Sequence, residues 1–135
     1  MAYSSVAHVR MLADDVPEAV RWGKQAITLA ERLGETEVLV HALNNVGSAL
    51  LRAGSEEGRA ALERSLALAS EASLTEHVIR AYVNLSSIAV DLRRYEEGDR
   101  YLADAIGYAT DQGVEAWRWY LLAVQARAEL ERRSA

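Results

Sequence analysis

The chain has 135 residues, half of them apolar, with no cysteine, no phenylalanine and a formal net charge of −5. That length suits one domain, and the apolar content can fill a continuous core. Lack of cysteine excludes a disulfide framework, a thiolate metal site and a cysteine nucleophile, and the thinly spread negative charge argues against nucleic acid, whose binders carry a basic face.

A single proline, Pro17, and abundant Ala, Leu, Glu and Arg favour helix throughout. No segment alternates apolar and polar residues in the manner of a strand. Seven helices are predicted. The first covers about Tyr3–Ala13. The segment "DDVPEA" then turns the chain, with Asp15 as cap and Pro17 in the first turn, where its missing N–H costs nothing. The second helix runs to about Leu33 and stops at Gly34, a natural C′ residue. The third covers about Thr36–Arg52 and ends at Gly54. The fourth starts after Ser55 with Glu56 and Glu57, acids that suit a helix N-terminus, and ends near Ala72. The fifth spans about Thr75–Arg93 with Thr75 as cap. The sixth spans about Tyr95–Thr110 and stops before Gly113. The seventh runs from about Val114 to Glu131. Connections this short make sequential helices antiparallel neighbours. No charged segment precedes an apolar run, and no apolar run reaches the ~18 residues of a membrane span, so a cytoplasmic location is the expectation.

The chain also repeats itself. Ala42–Arg80 returns as Ala81–Trp119, with Asn45 returning 39 residues on as Asn84. Glu57, Gly58, Leu62 and Leu66 return 40 residues on, as Glu97, Gly98, Leu102 and Ile106. One residue is therefore gained in the turn near Arg93–Arg94. A fainter copy lies upstream, where Glu18-Ala19 precedes Glu57-Gly58 by 39. A period of this size in helical segments signals a stacked-helix solenoid, with units at about 3–34, 36–73 and 75–113 and a terminal helix at 114–132. Such proteins present surfaces rather than catalytic sites. Small residues recur at matched positions, Gly47 and Ser86 in one helix of the pair, Gly58 and Gly98 in the other. Glycine inside a helix costs roughly 1 kcal/mol relative to alanine, so close helix packing should compensate.

The second unit reads Leu43-x2-Val46-Gly47-x2-Leu50, then Gly58-x3-Leu62 and Ser65. The third reads Tyr82-x2-Leu85-Ser86-x2-Ala89, then Tyr95, Gly98-x3-Leu102 and Ala105. The first is degenerate, with Met11, Ala19 and Ala26 matching best. This spacing resembles the tetratricopeptide repeat. The period is longer than that family's, several large residues are replaced by smaller ones, and the closing proline is absent. The stretches "ERLGETEVLVHALNNVGSALLRAG" and "YLADAIGYATDQGVEAWRWYLLAVQAR" are similar to the helical repeat region of LuxR-type transcriptional regulators of the large ATP-binding class. The resemblance implies an all-α, right-handed solenoid of helical hairpins. It implies a protein-interaction or scaffold segment in which the ATPase and DNA-binding modules lie elsewhere, since this sequence has no G-x4-G-K-[ST] phosphate loop and no basic C-terminal module.

In stacked repeats of this family the first helix of each pair lines the concave face. Carried over, His41, Asn44, Asn45, Ser48 and Arg52 face the groove or its edge from the second unit, and Arg80, Val83, Asn84, Ser87 and Asp91 from the third. Asparagine is poor in mid-helix because its side chain competes with the backbone. The aligned Asn45 and Asn84 fit two readings, hydrogen bonding to a bound peptide or an inter-helix bond that fixes repeat packing. The carboxylate clamp known in some family members does not carry over: of the aligned positions Ser5, Val9, Asn45, Arg80 and Asn84, only Asn45 and Arg80 fit.

Apart from acids common on any solvated face, His8, His41 and His77 lack a second ligand one helical turn away that would make a metal pair. Glu56-Glu57 and Glu96-Glu97 read as helix starts rather than paired catalytic carboxylates. In the last helix, residues 117, 120, 121, 124 and 128 share one stripe that should bury against the sixth helix. Trp119 and Leu122 fall off it. With Trp117 and Tyr120 they suit packing against a further repeat, or a homo-oligomer or partner contact. The expected function is non-enzymatic protein or peptide binding without cofactor, metal or membrane. A small-molecule sensor using the same groove and a freestanding homo-oligomer are the alternatives.

Overall fold

The computed structural model describes residues 16–134. Among them lie six helices, α1 (Val16–Leu33), α2 (Thr36–Arg52), α3 (Glu57–Glu71), α4 (Thr75–Asp91), α5 (Tyr95–Asp111) and α6 (Glu115–Ser134). The helix expected at Tyr3–Ala13, the Asp15 cap and His8 lie outside the described residues. The chain forms two compact units, Met1–Ala81 and Tyr82–Ala135, with the boundary inside α4.

One device ends every helix from α1 to α5. A residue with positive φ follows the last turn: Gly34 (67°), Gly54 (88°), Ser73 (58°), Arg93 (63°) and Gly113 (69°). In each case the next amide reaches back five residues, as in Glu35 to Ala30 (3.0 Å), Ser55 to Leu50 (2.9 Å), Leu74 to Ala69 (2.8 Å), Arg94 to Ala89 (2.7 Å) and Val114 to Ala109 (2.9 Å). These are Schellman turns, which satisfy carbonyls that the helix end leaves open. Four of the five residues after the turn also accept the first bond of the next helix, from Leu39 to Glu35, Val78 to Leu74, Gly98 to Arg94 and Arg118 to Val114. Connections of two to four residues therefore reverse the chain. Two expectations change as a result. Leu74, not Thr75, holds the cap position of α4, and that helix ends at Asp91 because Arg93 takes the left-handed turn.

The turns also locate the gained residue. At the start of α3 the Gly58 amide bonds the Ser55 carbonyl three residues back (3.0 Å). At the matching start of α5 the Gly98 amide bonds the Arg94 carbonyl four residues back (3.0 Å). The extra residue widens a 3₁₀ turn into an α turn.

In the first unit, α2 packs against both α1 and α3. Buried Ala30, Leu39 and Leu43 form a core cluster flanked by Ile27, Val38, Ala61 and Leu68. Gly47 and Gly58 face each other where α2 meets α3. A methyl on Gly47 would come within 2.8 Å of Leu62 Cγ and 2.9 Å of the Gly58 carbonyl, and one on Gly58 would overlap the Leu51 amide. The buried Ser65 hydroxyl donates to the Val40 carbonyl across the same pair (2.9 Å). Lys24 pairs with Glu57 (3.2 Å) and Arg64 with Glu31 (2.7 Å), both 33 residues apart, so α1 and α3 run parallel.

In the second unit, buried Leu102, Ala105, Ala109 and Leu121 join α5 to α6, with Tyr82, Val83, Ile106, Trp117 and Val124 around them. Arg132 near the end of α6 donates to Asp99 near the start of α5 (2.6 Å) and stacks over Tyr95 at 5.2 Å, as an antiparallel pair requires.

Candidate partner-binding surfaces

The residues expected to face a groove differ sharply in burial. On α2, Asn44, Asn45 and Ser48 are each more than nine-tenths buried, and His41 is half-buried. Asn45 Nδ2 lies 3.3 Å from His41 Nε2, one turn back on the same helix. The Ser48 hydroxyl is buried without a hydrogen bond. Arg52 at the end of α2 and Arg80 on α4 are exposed, as is Asp91, while Asn84 and Ser87 are half-buried. Within the second unit Asn84, Ser87 and Asp91 follow at roughly one-turn intervals, so they share a side of α4. The two aligned asparagines are thus not equivalent. Asn45 belongs to the interior of its unit, and Asn84 keeps surface in contact with solvent.

Two histidines that sequence spacing left separate come together in the first unit. The His41 and His77 rings meet edge to face with centroids 6.2 Å apart, and His77 Nε2 lies 3.5 Å from Glu37. No group of three or more potential metal ligands forms among the described residues. None of the described helices is long and apolar enough to cross a membrane.

On α4, Tyr82 is half-buried, with its ring centroid 6.3 Å from that of Tyr108. Burial pushes its phenol above the ordinary tyrosine value, and the negative charge of Asp104 adds to the shift.

The last helix offers the other surface. Leu121 and Ala128 are buried, and Trp117 and Val124 are half-buried against the α5 cluster, as the stripe predicts. Tyr120 does not follow them and is 49% exposed. It lies at the edge of the stripe, some 70° from its centre at ~100° per residue, and packs its ring edge-on to Trp117 at 5.6 Å. Trp119 is 64% exposed with the Arg118 guanidinium 5.6 Å from its ring, and Leu122 is half-buried. Leu130 on the same helix is 66% exposed and forms a shallow notch with Val90, Asp91, Arg93 and Tyr95. A lone leucine near a helix end carries no signal until the opposite face is known to be buried.

Five Schellman turns about twenty residues apart, joining helices of near-equal length, settle the architecture. The chain is an all-α helical-repeat protein. Its fold is similar to that of aspartyl phosphate phosphatase F from Bacillus subtilis, with a TM-score of 0.75 and 17% sequence identity over 88% of this chain and 31% of that one. At that identity the likeness concerns the fold alone, and this chain spans about a third of the solved protein's length. No protein-family model matches the sequence, and no curated protein does so.

Proposed function

We propose that this chain is a non-enzymatic protein-interaction segment, and that it belongs to a longer regulator of the LuxR type. The observation that carries the interaction reading is the repeat itself. Helices of near-equal length, joined by turns of two to four residues, present their first-helix faces again and again, and such arrays serve as extended binding surfaces. In the first unit exposed Arg52 and Arg80, and in the second exposed Asp91 with half-buried Asn84 and Ser87, each supply charge and hydrogen-bonding groups to a peptide or partner helix. Buried Asn44, Asn45 and Ser48 contribute through packing beneath the surface of the first unit. The LuxR reading draws on the wording of the sequence alone. A cytoplasmic location goes with it.

Two measurements test this. An immunoblot of source-cell lysate should show a band several times larger than 14.9 kDa; a band at 14.9 kDa would remove the regulator. Replacing Arg52, Arg80 and Asn84 together by alanine should weaken capture of the partner at least tenfold with helical content unchanged. Equal capture by the folded variant would refute the assigned surface.

A further inference from the structure

The α5–α6 pair of the second unit is apolar at one end and ionic at the other. On α6 the inward stripe runs Trp117, Leu121, Val124, Ala128 and Arg132, at i, i+4, i+7, i+11 and i+15. Its first three members pack on the cluster that holds Leu102, Ala105 and Ala109 of α5. No described residue after Ala128 is buried. Where the stripe next calls for an apolar side chain, Arg132 stands instead. It donates to Asp99 (2.6 Å) and lies 5.2 Å over the Tyr95 ring. The facing residues of α5 have the same layout, with Ala109, Ile106 and Leu102 followed by Asp99 and Tyr95. Leu130, the one large apolar residue after Ala128, stands off the stripe and is exposed.

Different forces therefore hold the two halves of α6. The first half is held by apolar burial, which salt does not screen. The second is held to α5 by one ion pair and one cation–ring contact. The Arg132 and Asp99 side chains are 35% and 45% exposed, so dissolved ions reach and screen both. Among the described residues, the other ion pairs of this stretch, Arg127 with Glu131 and Arg132 with Glu129, lie within α6 itself.

We propose that residues 125–134 form an ionic latch, which leaves α5 as ionic strength rises while residues 115–124 stay packed. Local opening belongs to segments held by few buried apolar contacts. The latch carries Leu130, Glu131 and Ser134, one wall of the notch whose other wall is Val90, Asp91, Arg93 and Tyr95. Opening dismantles the notch, so a contact made through it depends on the closed latch.

Amide hydrogen exchange of the full chain, followed by NMR, tests this. Raising salt from ~0.02 to ~0.5 M should speed exchange at residues 128–132 about fivefold and leave residues 119–122 unchanged. At low salt Arg132→Gln should give a similar acceleration and remove most of the salt response, glutamine being close to arginine in helix preference. Asp99→Asn should act in the same direction, and the double variant should exchange no faster than Arg132→Gln alone, since both remove one contact. Arg133→Gln takes the same charge from the exposed neighbour and should change exchange by no more than about twofold. Equal acceleration along the whole of α6 overturns the proposal, because the helix would then open as one piece. So do effects of Arg132→Gln and Asp99→Asn that simply add, or exchange at residues 128–132 that ignores salt.

Discussion

The α2–α3 and α4–α5 hairpins occupy the same place in the repeat and close in different ways. In the first, glycines on both helices bring backbone against backbone, and Ser65 ties the second helix to the Val40 carbonyl. In the other, Ser86 replaces the first glycine and turns its hydroxyl back to the Val83 carbonyl of its own helix (3.1 Å). There a methyl on Gly98 would meet Val90 Cγ2 at 3.0 Å and the Ser86 carbonyl at 3.4 Å, contacts with a side chain and a more distant oxygen. Ala105 stands in place of Ser65, so no hydroxyl is available to cross the gap. One fold thus tolerates two helix spacings, and the size of one residue at the crossing point sets which is used. The gained residue at the start of α5 accompanies the wider pairing.

The largest expected difference follows from those contacts. Gly58→Ala should destabilise the protein by about 3 kcal/mol through overpacking against backbone that cannot move aside. Gly98→Ala should fall within about 1 kcal/mol of neutral, because alanine's helix preference offsets a small shift of Val90. Urea unfolding followed by circular dichroism measures both, and equal costs would break the contrast. Ser65→Ala should cost about 1 kcal/mol for the lost inter-helix bond, whereas Ser86→Ala should change stability less, since its bond stays within one helix. The turns permit a third comparison. Arg93→Gly should stabilise by roughly 1 kcal/mol by relieving a left-handed conformation that costs a side-chain-bearing residue, and Gly54→Ala should destabilise by a similar amount. Opposite signs in thermal melts would confirm that the two turns are the same device with different strain.

The smallest effect is one of pH. Tyr82 has a raised pKa in the folded chain, so folding favours its protonated form. Its contribution is complete below the unfolded value near 10 and fades as pH rises through the higher folded value. Tyr82→Phe should flatten the loss of stability above pH 10, and an unchanged alkaline slope would show that Tyr82 does not carry it.

Much of this was legible in residue order. Gly34, Gly54 and Gly113 marked three turns, the shift from 39 to 40 marked the gained residue, and matched small residues marked the crossing points. Ser73 and Arg93 concealed two turns because neither residue type prefers a left-handed backbone, and only the period gave their places away. The expectation for Tyr120 failed because a stripe edge and a stripe centre differ by one step around the helix. The groove assignment treated Asn44, Asn45, Asn84 and Arg80 alike, since polarity is visible in a sequence and depth is not.

The sequence alone determined an all-helical chain, its period, its turns and the positions where helices must come close, because these depend on local propensity and on spacing that recurs every half-unit. Tertiary structure decided which polar side chains sink into the interior, that His41 and His77 meet, and that Trp119, Ala126 and Leu130 lie open on α6. Those outcomes depend on which neighbouring helix covers which face, and a helix does not encode by itself whether its second apolar face has a partner.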